Sequence, residues 1–595
     1  MIPQDSFSSL LYRTCLLGCF LGLTATVYFL GGVSGHIGSP LLNIPTAFFL
    51  FLGALFFLYI FFVSLPEKSR LGSLIWILIL LVLCVEVVLG LVPPTARDEL
   101  THHLAIPRLY VKSGRIFEIP FAPYSYYPML LDMLYTPFIK WGWDSVPKFI
   151  HGLFGFLTGL LLYVYLSRRL SSIYGLLGFL FFISTPVVLR LSNLGYVDLG
   201  LTFYSTASLL CLLRWRETAT SRGWLILAGL LAGFALSTKP NSFLVFFLLT
   251  CGLVFTLSKT KQKSSVKELQ CIVLFLCSAL IAFSPWVVKN FIQTGNPFFP
   301  FFGSLFSGGA GGIGGGIGAA GSGFFTRREM LYGESWLQIV ALPFRIFISG
   351  QDDNPQYFDG VLTPILILFL PWAFRGKWVE EKRLLFSFSL LYLLYAIFLV
   401  DMRIRYILPI VPPLVILTVY GIHNIYMRIV NPSFLFAVIV ALIALNGVYL
   451  WRYFDKVSPV DYLLANESRE VYLTRMLPEY PALQYINQDL PAEAKVYFLF
   501  VGRRVYYSKR DYFHDAGDNA WILLRIIQNA QSKDAIKLSL RNQGLTHLLA
   551  REDLLNRFLT NNLNSEQLRR WSSFARLHLQ PLFRARGYSV YQIHG

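Results

Sequence analysis

Two carboxylates and two imidazoles lie within the six residues 98–103, and these are the side chains best suited to acid–base chemistry. On an α-helix, Asp98 would share a face with His102, and Glu99 with His103, because each pair is four residues apart. A carboxylate that is partly removed from water becomes more basic and can act as a general base. Two other interpretations stay open. Asp98 and Glu99 could cap a surface helix, or Asp98 and His102 could bind a divalent metal ion.

The elements around these residues are predicted to be membrane spans. Of the 595 residues, 55% are hydrophobic and only 14% are charged, whereas soluble domains carry about 25% charged residues. Apolar runs of about 20 residues recur, and each can cross a bilayer core about 30 Å thick. We therefore predict about thirteen transmembrane helices. The predicted spans are 11–33, 41–63, 71–92, 148–166, 171–189, 195–213, 223–238, 241–258, 269–289, 361–375, 384–400, 404–425 and 432–451.

The distribution of Lys and Arg predicts the orientation of these spans. Basic residues cluster in every second short loop, and such loops usually face the cytoplasm. This predicts a cell (inner) membrane protein with its N-terminus in the cytoplasm. Two long loops, 93–147 and 290–360, and the C-terminal region are then on the extracytoplasmic side. The net charge of +18 is explained by the same loops, so nucleic-acid binding is not expected.

Several basic residues contradict this charge rule, because they lie at span ends that are predicted to be outside. They are Arg190, Lys239, Lys289, Arg403 and Arg405. Phosphate groups are bound by Lys and Arg donors, so these residues predict an anionic ligand on the outer face. Contact with lipid headgroups is the alternative.

Two acidic residues lie within or beside predicted spans. Asp198 follows Gly195-Tyr196-Val197 at an outer span end, where it could face the same outer cavity or simply begin a solvated helix. Glu86 lies deeper in its span, either as a buried functional acid or paired with a polar neighbour.

The predicted fold class is a membrane all-α protein with a small extracytoplasmic α/β domain. We expect an N-terminal transmembrane hairpin over 1–70, a catalytic membrane module over 71–451, and the α/β domain over 452–595. Aromatic residues in the first long loop predict interfacial helices there. The glycine-rich segment 308–323 is expected to be either a flexible loop or a mobile lid. In the C-terminal domain, strands are predicted at 495–501, 546–550 and 588–593, and helices over 519–542.

A series of short motifs runs in order from the first long loop to the predicted outer end of span 404–425. The motifs are Asp98-Glu99 with His102-His103-Leu104, Gly195-Tyr196-Val197-Asp198, Ser237-Thr238-Lys239-Pro240, Ser284-Pro285-Trp286 with Lys289-Asn290, Thr294-Gly295-Asn296-Pro297, and Arg405-Tyr406-Ile407-Leu408-Pro409. This order resembles the polytopic glycosyltransferases of the C superfamily. It is most similar to their family 39 branch, which includes protein O-mannosyltransferases and lipid A aminoarabinose transferases. Three features depart from the family. Two extra spans precede residue 71, and His102 stands where many relatives have Tyr. Tyr126-Tyr127-Pro128 stands where the aminoarabinose transferases have a Lys/Pro-Pro element.

The resemblance implies an enzyme that transfers a sugar from a polyprenyl-phosphate donor to an acceptor on the outer face, with inversion at the anomeric carbon. Asp98 would deprotonate the acceptor, while Lys239 and Arg405 would stabilise the leaving phosphate. Glu99 and Asp198 would orient the acceptor or assist a metal. The acceptor would be a glycan, a lipid or a protein. Further substrate contacts are expected from His102, His103, Lys289, Arg403 and Tyr406.

Two other functions stay open from the sequence. A flippase or transporter of a polyprenyl lipid would have a similar composition, but it should show repeated halves and charges at mid-span. The chain shows no such repeat and no mid-span charge chain apart from Glu86. A catalytically inactive scaffold would keep the folded loop and tolerate the loss of Asp98.

Overall fold

The computed structural model describes residues 4–63, 69–218, 221–259, 265–306, 324–399, 402–517 and 519–594. The glycine-rich segment 308–323 lies outside the described residues, as do parts of two basic loops, 64–68 and 260–264.

The chain forms two compact units. The first contains Met1–Val92, Ser113–Ile116 and Tyr127–Pro459. The second contains two segments of the first long loop, Pro93–Lys112 and Phe117–Tyr126, together with the C-terminal region Val460–Gly595.

The long helices of the first unit coincide with most of the predicted spans. Their bounds are Gln4–Val33, Pro40–Val63, Arg70–Gly90, Val146–Arg169, Asp198–Thr218, Arg222–Leu236, Ser242–Ser258, Ser265–Thr294, Val379–Leu399 and Ser433–Val457. Among the described residues, six helices are long and apolar enough to cross a membrane, or seven if one bent pair forms a single span. The chain is a multi-pass membrane protein, but the number of thirteen spans is not confirmed.

Two predicted spans, 171–189 and 361–375, are not continuous helices. Each is divided into two pieces, and a proline lies at the start of the second piece. Proline lacks the amide N–H of a helix interior and disfavours helical backbone at the preceding residue, so a helix ends before it. The two pieces of the first span meet at an angle of 70°. The pieces are Ser172–Ile183 with Pro186–Ser192, and Ile365–Leu368 with Leu370–Ala373.

A pair of glycines lets helix Arg222–Leu236 approach helix Ser265–Thr294 closely. A Cβ atom at Gly229 would collide with the carbonyl oxygen of Phe275, and one at Gly233 with that of Ala279. Small residues four apart are typical of close helix packing in membranes, where backbones must meet to gain van der Waals contact. This packing holds the end of Arg222–Leu236 in place, and Lys239 follows shortly after that end.

Both long loops contain short helices. The first carries the π-helix Glu99–His103, helix Ala105–Ser113, a 3-10 turn at Pro123–Tyr126 and helix Leu130–Trp141. The last of these is buried from Leu130 to Ile139, so it is a core element of the first unit rather than an exposed interfacial helix. The described part of the second loop contains Gly303–Phe306, Phe324–Tyr332, Trp336–Val340, Leu342–Arg345 and Pro355–Tyr357.

The C-terminal region forms a five-stranded sheet in the order β2-β1-β3-β5-β4. The strands are β1 Lys495–Leu499, β2 Asp511–His514, β3 His547–Arg551, β4 Leu579–Ala585 and β5 Tyr588–Ile593. Strand β1 pairs in parallel with β2 and β3, whereas β5 pairs antiparallel with β3 and β4. The β4–β5 hairpin turns at Arg586 and Gly587, both with positive φ, as tight two-residue hairpin turns require.

Helices complete this α/β domain. They are Pro459–Leu463, Arg469–Met476, Tyr480–Asp489, Trp521–Asn529, Lys533–Asn542, Glu552–Asn562 and Ser565–His578. The strands predicted at 495–501, 546–550 and 588–593 and the two helical pieces within 519–542 are confirmed, whereas β2 and β4 were not predicted. The last membrane helix continues to Val457, beyond the domain boundary expected at residue 452.

Candidate active site

An ion pair between Asp198 and Lys239 forms the centre of the candidate site in the first unit. Asp198 is the first residue of helix Asp198–Thr218, where its negative charge is favoured by the helix dipole. Lys239 lies just after helix Arg222–Leu236. The Lys239 Nζ donates to Asp198 Oδ1 at 2.5 Å, and the two side chains are 16% and 2% exposed. The two predicted residues are therefore brought together out of bulk water.

A second cation lies beside this ion pair. Span 404–425 begins as the 3-10 helix Ile404–Ile410 and becomes an α-helix only at Val411–Tyr426. Arg405, in the 3-10 part, lies over the rings of Tyr196 and Tyr406, with its guanidinium carbon 5.2 and 5.1 Å from their centroids. The Lys239 ammonium is 5.0 Å from the centroid of the same Tyr406 ring. Two cations from distant parts of the chain thus contact one aromatic ring.

His151 holds the backbone that leads to Asp198, and no sequence pattern predicts this role. Its Nε2 accepts a hydrogen bond from the Leu199 amide at 2.8 Å. Its Nδ1 lies 2.9 Å from the carbonyl oxygen of Leu191 and 2.7 Å from that of Leu194, so the neutral ring with a proton on Nδ1 satisfies these contacts. The imidazole is fully buried. It links helix Val146–Arg169 to both sides of the turn before Asp198.

Tyr135 supports the same turn from helix Leu130–Trp141. Its hydroxyl donates to the Tyr196 carbonyl at 2.5 Å, and its side chain is fully buried. A lone Tyr or His in an apolar segment carries no sequence signal beyond a buried core residue, so only the fold reveals this role.

The other predicted residues of the first unit have contacts of their own. Arg403 forms an ion pair with Asp359 at 3.2 Å, and Arg190 with Asp352 and Asp353 at 2.8 and 2.6 Å. Their predicted role as anion ligands stays a prediction.

Lys289 and Glu86 are buried in helices of the first unit. Lys289 has its ammonium 5.6 Å from the centroid of the Trp286 ring. Glu86 accepts a hydrogen bond from the Asn193 amide at 2.6 Å, so the polar-neighbour interpretation describes what is observed.

The acidic motif of the first loop lies in the second unit, and its two carboxylates differ in environment. Glu99 is fully buried, and its Oε2 accepts the backbone N–H groups of Thr95 and Ala96 at 3.1 and 2.9 Å. Asp98 occupies the N-cap position of the π-helix Glu99–His103, is half-buried, and makes no side-chain capping bond. Asp98 thus occupies a capping position without the side-chain hydrogen bond of a cap. Single-turn π-helices are frequent at functional sites.

The two histidines of this motif are in contact with each other and with a tyrosine. The rings of His102 and His103 have centroids 4.1 Å apart, and His102 stacks on Tyr124 at 4.4 Å. The Nδ1 of His102 also lies 2.8 Å from the Thr101 hydroxyl. Tyr124 in turn has the guanidinium of Arg503 5.2 Å from its ring centroid.

A metal site was one expectation for Asp98, His102 and Asp198. Across the parts of the chain that the structure describes, no group of three or more His, Cys, Asp or Glu side chains is arranged to hold a metal ion. The contacts of Asp198 are cationic, with Lys239 on one oxygen, and this environment suits an anion better than a metal.

Comparisons with known proteins agree with the resemblance seen in the motifs. Residues 145–297 match the family model of dolichyl-phosphate-mannose-protein mannosyltransferase, a segment that includes Asp198 and Lys239. No curated protein matches the chain in sequence.

The fold is similar to that of a protein of known structure. The crystal structure of ArnT from Cupriavidus metallidurans in the apo state has a TM-score of 0.56 and 15% identity, covering 87% of this chain and 97% of that chain. The crystal structure of the same protein bound to undecaprenyl phosphate has a TM-score of 0.51 and 15% identity, covering 87% and 98%. The predicted resemblance is confirmed by the family match over residues 145–297 and by the similarity of the fold to that of ArnT.

Proposed function

We propose that this protein transfers a sugar from a polyprenyl-phosphate donor to an acceptor on the extracytoplasmic face of the inner membrane. The observation that carries the proposal is the meeting of Lys239 and Arg405 on the ring of Tyr406, beside Asp198. The similarity to ArnT, which has been solved with undecaprenyl phosphate, supports a prenyl phosphate as the lipid part of the donor.

The charges of this cluster suit a departing phosphate. Lys239 and Arg405 contribute two positive charges and Asp198 one negative charge, so the three side chains together are positive. When the sugar–phosphate bond breaks, negative charge develops on the phosphate oxygens, and cations already in place stabilise it without reorganisation. A Lys acts as a point charge and an Arg can bind two oxygens at once, so the pair is complementary.

Asp198 retains an oxygen with which to bind a hydroxyl group. Its Oδ1 accepts from Lys239, whereas its buried Oδ2 has no hydrogen-bond partner among the described residues. A buried carboxylate oxygen without a donor is costly, and a substrate hydroxyl would relieve this cost. We assign Asp198 the role of orienting the donor sugar or the acceptor.

Asp98 is the proposed general base. It takes the proton of the acceptor hydroxyl as that oxygen attacks the anomeric carbon, while the bond from that carbon to the phosphate oxygen breaks. The electron pair leaves with the phosphate, and the configuration at the anomeric carbon inverts. Glu99, whose carboxylate binds two backbone N–H groups, is better suited to position Asp98 than to accept a proton. His102 and His103 are proposed to contact the acceptor.

A reconstituted assay tests the function directly. The purified protein in liposomes is supplied with undecaprenyl-phosphate sugars and a membrane extract from a deletion strain as the source of acceptor. We expect labelled sugar to move from lipid to acceptor with wild-type protein, and not with Asp98→Asn. The control is Glu493→Gln, which removes an exposed carboxylate from the C-terminal domain. Movement of the lipid across the bilayer without loss of its sugar would support the flippase instead.

A further inference from the structure

A cavity in the first unit lies between the helices Asp198–Thr218, Ser242–Ser258 and Val379–Leu399, and the proposed reaction does not use it. Its volume is about 430 Å³, within the usual range for ligand pockets. The walls are mainly Leu and Phe side chains. They include Leu212, Leu249, Leu253, Phe255, Phe388 and Leu391.

One side of this cavity opens towards the surroundings of the helices. Phe255 and Leu391, both in its wall, are 49% and 51% exposed although they are large and apolar. In a multi-pass membrane protein, such side chains face lipid. An apolar chain can therefore enter from the bilayer without crossing water.

The mouth of the cavity is basic. Arg216, Lys259 and Arg383 line it together with a single acid, Glu380. Arg383 binds Glu380 at 3.0 Å, but the two side chains are 65% and 47% exposed, so this pair is weak and exchanges readily with other partners. The net charge of these four residues is positive by two.

This mouth is remote from the candidate active site. Arg216 and Asp198 are 18 positions apart on the same helix, which corresponds to about 27 Å along the axis. The positive charges also lie on the side where the predicted orientation places the cytoplasm. A ligand here would act apart from the sugar transfer on the outer face.

We infer that this cavity binds an anionic phospholipid, with its phosphate between Arg216, Lys259 and Arg383 and an acyl chain along the apolar wall. Basic pockets between membrane helices recognise anionic headgroups in this way. The positive charges attract the phosphate, and the apolar walls contact the acyl chain as neighbouring lipids would. The inference does not depend on the proposed function.

Native mass spectrometry of the full chain in detergent tests the charge requirement. Phosphatidylglycerol and phosphatidylcholine with identical acyl chains are titrated against wild-type protein and a triple variant. The variant carries Arg216→Gln, Lys259→Gln and Arg383→Gln. Each basic residue near a headgroup contributes about fivefold to binding, so the triple variant should retain phosphatidylglycerol at least tenfold less well.

A matched triple variant controls for the loss of net charge. It replaces exposed basic residues outside the cavity, as Arg70→Gln, Arg222→Gln and Lys267→Gln. This variant should bind phosphatidylglycerol like the wild type. Equal loss in both variants, or equal retention of the two phospholipids by the wild type, would each overturn the inference.

A second measurement locates the lipid and requires no variant. Cys251 lines the cavity, whereas the exposed Cys84 and Cys277 do not, so they serve as internal controls. Added phosphatidylglycerol should slow the alkylation of Cys251 by a membrane-permeant maleimide at least threefold and leave the other two rates unchanged. A uniform effect on all three cysteines, or none on Cys251, would exclude binding in this cavity.

Discussion

Replacing one or the other partner of the Asp198–Lys239 ion pair should change the affinity for a prenyl phosphate in opposite directions. If Lys239 anchors the phosphate, then Lys239→Gln removes an attraction, while Asp198→Asn removes a competing negative charge and leaves the ammonium available to the ligand. A purely structural ion pair predicts something different, because both substitutions would then weaken binding by disturbing the same turn.

The expected sizes follow from the geometry. A hydrogen bond to a charged group contributes about 1.5–3 kcal/mol, so Lys239→Gln should weaken binding by about 10- to 150-fold. A carboxylate roughly 6 Å from a phosphate repels it by about 3 kcal/mol at an effective dielectric constant of 20. Because the Lys239 side chain is 16% exposed, solvent screening reduces this repulsion. We expect Asp198→Asn to tighten binding by about five- to tenfold, equivalent to about 1–1.4 kcal/mol.

The assay measures the affinity of the purified variants for undecaprenyl phosphate, together with their thermal stability. Lys239→Gln leaves Asp198 buried without its cation, which costs about 3–5 kcal/mol, so its folding must be checked by size exclusion. Arg328→Gln is the matched control, because it breaks a buried ion pair of the same unit with Glu334. If Asp198→Asn binds the lipid phosphate more weakly than wild type while remaining folded, the anchoring role of Lys239 is wrong.

Three further outcomes are expected. Asp98→Asn should lower the initial rate of transfer by about 10²–10⁴-fold without loss of thermal stability. Glu99→Gln should moderately lower the transfer rate and the thermal stability. If Glu99→Gln instead abolished transfer without loss of stability, Glu99 rather than Asp98 would be the base. His151→Phe should reduce turnover more than donor affinity and cost about 1–3 kcal/mol of stability, and an unchanged turnover would remove it as a positioning residue. Burial lowers the pKa of His514 to about 4, so the unfolded chain binds more protons than the folded domain between pH 6.5 and 4. The free energy of unfolding should therefore fall by up to about 2 kcal/mol from pH 7 to pH 5. The raised pKa of the buried Asp515 partly offsets this fall. Proteolysis at increasing urea concentrations should show that the stability of His514→Gln depends less on pH than that of the wild type.

The membrane helices were largely predictable, because a long apolar run has few alternatives to a span. The positions at which these helices break were harder to predict. Pro186 and Pro371 lie in the first turn of a new helical piece, whereas Pro285 lies inside the continuous helix Ser265–Thr294. A proline leaves a backbone carbonyl of its helix without a hydrogen bond. The sequence does not show whether neighbouring groups will satisfy that carbonyl, so it does not show whether the helix will break. The short β2, with a half-exposed pattern over four residues, gave too little periodicity to be recognised.

The candidate site was predictable where residues violated a physical rule. Lys239 and Arg405 are predictable as ligands because they are basic residues at span ends predicted to be outside. Both contact the ring of Tyr406 in the structure. Arg403 violated the same rule, yet it pairs with Asp359, which a one-dimensional pattern cannot show. The binding of backbone N–H groups by Glu99 was equally invisible, because it depends on the local fold of residues 95–99.

The central proposal is that Asp98, Lys239 and Arg405 act on one donor molecule. A cryo-EM structure of the full chain with a non-hydrolysable prenyl-phosphate sugar analogue tests it most directly. We predict a phosphate within about 3 Å of the Lys239 ammonium and the Arg405 guanidinium, the distance of a charge-assisted hydrogen bond. The Asp98 carboxylate should lie on the opposite side of the anomeric carbon, as inversion requires. A phosphate bound away from both cations, or an Asp98 remote from the sugar, would contradict the account.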